Sequence, residues 1–154
     1  MRLAAHADIE QLAILYRDTI LTVNIRHYSA EQTEAWAGRY TNVAGWNDKI
    51  AQQYFIVEEE NNIITGFCSL TEDGHVDMLF VHNQYQGKGI ARRLLKEIEQ
   101  KARERELPRL TTDASKTARP IFEHYGFKVV AEQTVLVDGV ALDNFKMQKE
   151  LLSV

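Results

Sequence analysis

Between Met78 and Arg92 the chain reads Met-Leu-Phe-Val-His-Asn-Gln-Tyr-Gln-Gly-Lys-Gly-Ile-Ala-Arg, a buried-type apolar run that passes through two glycines into a helical pattern. The start of a helix leaves several backbone N–H groups without partners and carries the positive end of the helix dipole, so an anion placed there meets ready donors. Gly87 and Gly89 allow the backbone to approach a ligand where a Cβ would intrude. The segment is therefore a candidate phosphate cradle. It is not a nucleotide P-loop, because Lys88 is followed by Gly89 rather than by a Ser or Thr that holds magnesium. A dinucleotide fingerprint requires a third glycine where Arg92 stands, and it belongs to a mostly parallel sheet.

The surrounding elements follow from periodicity. A short strand is expected near 2–4, and Asp8 to Ile20 places Ile9, Leu12, Ala13, Leu15, Tyr16 and Ile20 at helical spacing. Ser29 and Gln32 have capping-box spacing and predict a second helix that carries Trp36 and Tyr40; a third is expected over 47–53. Tyr54 to Glu58, Ile63 to Leu70 and His75 to His82 are rich in β-branched and aromatic residues and are separated by turns, which predicts an antiparallel meander. From Ile90, the residues Ala91, Leu94, Leu95, Ile98 and Ala102 form one apolar stripe of a helix. A strand over 107–113, a helix over 115–125 ended by Gly126, and two strands joined by Asp138-Gly139 complete the chain. This order predicts an α+β fold: a mostly antiparallel sheet with one parallel βαβ crossover at the glycine loop, flanked by helices.

A chain of 154 residues without a Pro/Gly/Ser-rich linker or internal repeat is expected to be one domain, 1–154. The net charge of -4, with no block of Lys or Arg, argues against nucleic acid. The single cysteine, Cys68, suits a reducing cytoplasm and excludes a Cys-rich metal site, so no metal is expected. No apolar run reaches membrane length and no signal-peptide pattern opens the chain, so no membrane partner is expected.

Gln86-Gly87-Lys88-Gly89-Ile90-Ala91 matches the signature Gln/Arg-x-x-Gly-x-Gly/Ala, and with it the sequence resembles the GNAT superfamily of N-acetyltransferases. Asp113-Ala114-Ser115, Ala118 and Ile121-Phe122-Glu123-His124-Tyr125-Gly126-Phe127 are similar to that family's second block, with most resemblance to the YafP-like bacterial branch. The resemblance implies acetyl-coenzyme A as co-substrate, with backbone groups of Leu79, Phe80 and Val81 on the pantetheine arm. It also implies that Gln86, Gly87, Lys88, Gly89, Ile90, Ala91 and Arg92 surround the pyrophosphate, assisted by Arg93, and that Ser115 stands where many members place a coenzyme-contacting Asn. Phe122 occupies the position of the family's proton-donating Tyr and is expected against the coenzyme.

The implied reaction is direct attack of a neutral amine on the thioester, with a backbone N–H near Phe80 or Val81 on the developing oxyanion. Asp77 interrupts the apolar run 76–81; strict alternation puts it with Leu79 and Val81, where desolvation would raise its pKa and make it a base. The other reading of Asp77 is a structural carboxylate paired with a cation of the first helices. Tyr125 is a substitute acid or a packing residue, and His82 a relay or a surface histidine. His27, Tyr28 and Trp36 fall in the helical region that roofs the acceptor pocket in this family, while Cys68 is expected to pack. The expected substrate is a small-molecule amine; a protein lysine or N-terminus and a non-catalytic coenzyme-binding module are the alternatives. A closed pocket between the early helices and the last hairpin would favour the small molecule, an open groove a peptide. A homodimer through the C-terminal strands is a further implication of the resemblance.

Overall fold

The computed structural model describes residues 1–152, so the last two residues of the expected domain span lie outside the described residues. Seven strands form a single sheet in the order β1-β2-β3-β4-β5-β7-β6. The strands are β1 (Arg2–Leu3), β2 (Tyr54–Glu60), β3 (Ile63–Leu70), β4 (His75–Val81), β5 (Arg109–Ser115), β6 (Lys128–Val137) and β7 (Val140–Glu150). All neighbours are antiparallel except β4 and β5, the parallel pair that the crossover predicts. Helices α1 (Ile9–Thr22), α2 (Ala30–Ala37) and α3 (Val43–Gln52) precede the meander; α4 (Ile90–Glu104) forms the crossover and α5 (Arg119–His124) follows β5.

The two faces of the sheet bury two cores. On one face Ile90, Leu94, Leu95, Ile98 and Ala102 of α4 pack on Cys68, Leu70, Val76, Leu110 and Met147, the apolar stripe expected from the sequence except that Ile90 takes the place of Ala91, which lines the cavity instead. On the other, Leu12, Leu15, Tyr16 and Ile20 of α1 and Trp46 of α3 pack on Phe55, Val57, Phe67 and Met78. Local chemistry explains the boundaries. Ser29 accepts from the Gln32 amide at 3.1 Å while the Gln32 side chain accepts from the Ser29 amide at 2.8 Å, closing the capping box that starts α2. Asp138 and Gly139 both take positive φ, 50° and 80°, as a tight two-residue hairpin requires.

Two expectations are corrected. The helix after β5 starts at Arg119 rather than at 115, because Ser115 still pairs with Asn144 on β7 and Pro120 favours a first-turn position. The pairing of β3 with β4 passes from Ser69↔Met78 to Leu70↔Val76 and skips Asp77, a β-bulge that breaks strict alternation along β4.

Candidate active site

β4 and β5 are joined at only two rungs, His75↔Thr111 and Val76↔Thr112, and then separate. Thr112 closes the crotch of this fork, its hydroxyl donating to the Val76 carbonyl at 2.9 Å. Beyond it lies a cavity of about 750 Å³ lined by β4 from Asp77 to Val81, β5 from Thr112 to Ser115, and residues of α1, α2, α3, α5 and the last hairpin.

Hydrogen-bond alternation decides which β4 groups face the fork. The His82 amide donates to the Thr65 carbonyl at 2.8 Å, so His82↔Thr65 is a hydrogen-bonded pair, and Phe80↔Phe67 and Met78↔Ser69, two and four residues back, are also bonded. Leu79 and Val81 consequently turn their N–H and C=O groups away from β3, toward the fork. The Val81 carbonyl is occupied by the Thr19 hydroxyl (3.0 Å) and the Gln86 side-chain amide (2.7 Å), which leaves the Leu79 amide and carbonyl and the Val81 amide facing the gap. Of the three residues expected to offer backbone groups, Phe80 is the exception. Its backbone is spent on β3, and its ring packs on Tyr16 and Trp36 at centroid distances of 4.9 and 6.2 Å.

At the open end of the fork stands the glycine loop. Gly87 (φ 73°) and Gly89 (φ 79°) are left-handed, and Gly89 is the residue from which α4 departs. Among the described residues no acceptor reaches the amides of residues 86–92, whereas the Arg93 amide already bonds the Gly89 carbonyl at 3.1 Å. Gln86 and Ala91 line the cavity, and Ile90 is buried beneath the helix start. Lys88 lies with its ammonium over the Tyr85 ring at 5.0 Å, and Arg92 is exposed beside the loop. Arg93 is not available to a phosphate. Its guanidinium is held by Glu58 at 2.6 and 2.8 Å and braces the Lys88 carbonyl at 3.1 Å.

Asp77 differs from its expected state. The bulge turns it to the face of α3, not to that of Leu79 and Val81, where its carboxylate accepts from Lys49 and, at 2.9 Å, from Gln53. Desolvation pushes its pKa up, but the Lys49 and Gln53 hydrogen bonds and the Lys49 charge outweigh it and hold the group below the ordinary carboxylate range. The paired, structural reading of Asp77 is the one this geometry matches.

The other expected side chains divide. Phe122 and Ser115 line the cavity; Phe122 is buried edge-on to Phe127 (5.0 Å), and the Ser115 oxygen accepts from the Ala118 amide at 3.0 Å. Tyr28 and Trp36 line it too, with rings 5.7 Å apart. Tyr125, His82 and His27 are not among the lining residues. Tyr125 packs on the α4 core; His82 accepts from the Gln84 amide at 3.0 Å in the loop; and His27 pairs with Thr117 at 2.9 Å. Burial pushes the Cys68 thiol up, and it lies in the α4 core. The cavity also holds residues that no motif singles out: Arg39 and Asn144, and Thr19 and Lys49, whose partners Val81 and Asp77 lie 62 and 28 positions away.

The early helical region is fastened to the last hairpin. The Tyr28 hydroxyl donates to the Asp143 carbonyl at 2.7 Å and accepts from the Lys116 amide at 2.9 Å, and the Gln32 side chain donates to the Ala141 carbonyl at 2.9 Å. Tyr28, Val137 and Leu142 bury a small apolar cluster at the same seam.

Residues 24–151 match the acetyltransferase (GNAT) domain model. The chain is 36% identical over 141 residues to the uncharacterized N-acetyltransferase YafP of Escherichia coli strain K12, covering 92% of this chain and 89% of that protein. It superposes on a GCN5-related N-acetyltransferase from Rhodopseudomonas palustris with a TM-score of 0.94 at 31% identity, over 97% of this chain and 94% of the other. The fold extends to the PaiA N-acetyltransferase of Thermoplasma acidophilum, solved with coenzyme A, with a TM-score of 0.78 at 21% identity over 97% of each chain. A splayed strand pair, a bare-amide glycine loop and these similarities lead to one assignment: the chain belongs to the GNAT family of N-acetyltransferases.

Proposed function

We propose that this enzyme transfers the acetyl group of acetyl-coenzyme A to the primary amine of a small molecule by direct attack. The pyrophosphate is received by the amides of residues 86–92, and the pantetheine amides complete the fork edge at Leu79 and Val81. The coenzyme A bound in the Thermoplasma relative supports this choice of ligand.

The amine nitrogen attacks the thioester carbonyl, the N–C bond forms and the C–S bond breaks. The nitrogen's proton passes to solvent and the thiolate leaves, taking a proton from water. The Leu79 or Val81 amide, facing the gap, is the donor for the developing oxyanion. Asp77, held ionised below the usual carboxylate range, is a poor proton acceptor, so the amine gives its proton to solvent before it attacks.

The observation that supports the small-molecule reading is that Tyr28 and Gln32 tie the early helical region to the last hairpin, where a peptide would need an open groove. The test is thiol release from acetyl-coenzyme A with a panel of small amines alongside lysine-bearing and free N-terminal peptides. Turnover confined to small amines is the expected result, and turnover confined to peptides overturns it. Coenzyme binding without turnover of any acceptor favours the binding-module alternative.

A further inference from the structure

The acceptor end of the cavity carries charges that acetyl transfer itself does not use. The coenzyme's phosphates are assigned to the loop at 86–92, yet two cations line the cavity on the separate stretch between α2 and the end of α3: Arg39 and Lys49. Lys49 gives one N–H to Asp77, and an ammonium has three. Arg39 is exposed, and its guanidinium has no hydrogen-bond or ion-pair partner among the described residues. The carboxylates are unequal in the same way. Asp77 is taken by Lys49 and Gln53, and Asp113 accepts from Gln133 at 3.0 Å with His75 at 3.6 Å. Asp138, at the hairpin tip, lines the cavity with no such partner among the described residues.

Arg39 and Asp138 are not paired with each other, although both charges act on the buried hydroxyl of Tyr16, one lowering and one raising its pKa. The rings of Tyr16, Trp36, Trp46 and Phe80 line the same cavity. A plain cationic amine would answer Asp138 and leave Arg39 opposed, while a plain anion would do the reverse. A molecule bearing both charges answers both on entry, before its amine loses a proton and attacks at the fork.

We propose, resting on the small-amine reading above, that the acceptor bears a carboxylate beside its amine, and that Arg39 and Lys49 hold this carboxylate while the amine meets the thioester at the fork. Arg39 supplies a planar pair of donors suited to a carboxylate, and Lys49, fixed by Asp77, supplies a second charge. The class is that of amino acids and related zwitterions with an apolar body for the ring-lined space.

The test is a set of matched acceptors: an aromatic α-amino acid, its carboxamide, and the same amine without the carboxyl carbon. Each is followed by thiol release with acetyl-coenzyme A over a pH series, so that kcat/KM is compared for the neutral amine. The acid is expected to exceed the amide by about tenfold or more, as a charge-assisted contact gives. Arg39→Gln and Lys49→Met should each raise the KM for the acid and shrink that preference, with Arg39→Lys restoring part of it. Equal turnover of acid and amide, or a preference that survives Arg39→Gln, overturns the carboxylate reading and leaves small-amine acetylation standing. If no amine of the set raises thiol release above background while other small amines of the wider panel do, the carboxylate reading falls alone; if neither the set nor the panel does, both readings fall.

Discussion

The ammonium of Lys49 and the carboxylate of Asp77 meet on the cavity wall, joining the last turns of α3 to the bulge of β4. Because the folded-state pKa of Asp77 is depressed, the pair's contribution is fully present above the unfolded carboxylate pKa of about 3.9 and is lost as pH falls through the lower folded value. Both side chains are partly exposed, so Asp77→Asn is expected to cost about 1 kcal/mol or less at neutral pH, read from denaturant midpoints. That difference should vanish in strong acid.

The same state of Asp77 predicts the pH profile. With an already ionised carboxylate, kcat/KM should climb about tenfold per pH unit up to the acceptor's own amine pKa, and the break should move when acceptors of different basicity are used. A break fixed in the enzyme and abolished by Asp77→Asn would restore Asp77 as base.

Gly89→Ala places a Cβ on a residue at φ 79°, a conformation that costs an L-residue about 1–2 kcal/mol, at the point where α4 begins. Melting temperature should fall modestly. Affinity for acetyl-coenzyme A, measured by calorimetry, should fall as well, since a shift at Gly89 displaces the loop amides and its methyl group would stand 3.4 Å from the Arg93 guanidinium that braces the loop.

Gly66 lies under the first turns of α4, and a Cβ there would stand 2.6 Å from Ile90 Cγ2 and 3.2 Å from the Phe80 carbonyl oxygen. Gly66→Ala is expected to lose about 1–3 kcal/mol by overpacking and to weaken coenzyme binding as the helix start is pushed outward. Chemical denaturation and calorimetry on the same protein would check both.

Tyr28→Phe strands the Lys116 amide and the Asp143 carbonyl, an expected loss of about 1–3 kcal/mol. Its functional mark should be a raised acceptor KM and a wider tolerance of bulky amines, with coenzyme affinity held. An acceptor-size series would show it.

Features of the site made by neighbouring residues were legible in the sequence: the loop of Gly87 and Gly89, the capping box of Ser29 and Gln32, the hairpin at Asp138-Gly139 and the buried stripe of α4. What failed depended on insertion or distance. A period of two assigns Asp77 to the wrong face because one bulged residue reverses the alternation, and nothing in the sequence marks that bulge. Lys49 meets Asp77 across 28 positions and Tyr28 meets Asp143 across 115, pairings that only the assembled sheet and helices create. Tyr125 shares an approximate helical face with Phe122, yet the short α5 ends between them, so only Phe122 reaches the cavity.

The sheet is continuous in name but narrow at one seam, for strands β1 to β4 meet the remaining three at two rungs, reinforced by the crossover helix and by side-chain ties such as those of Tyr28 and Gln32. A ligand lying in that gap with its amides against Leu79 would act as a missing strand segment. Coenzyme would then be a fastener between the two halves of the molecule as well as a source of acetyl groups, and hydrogen exchange should slow on both sides of the seam together when it binds.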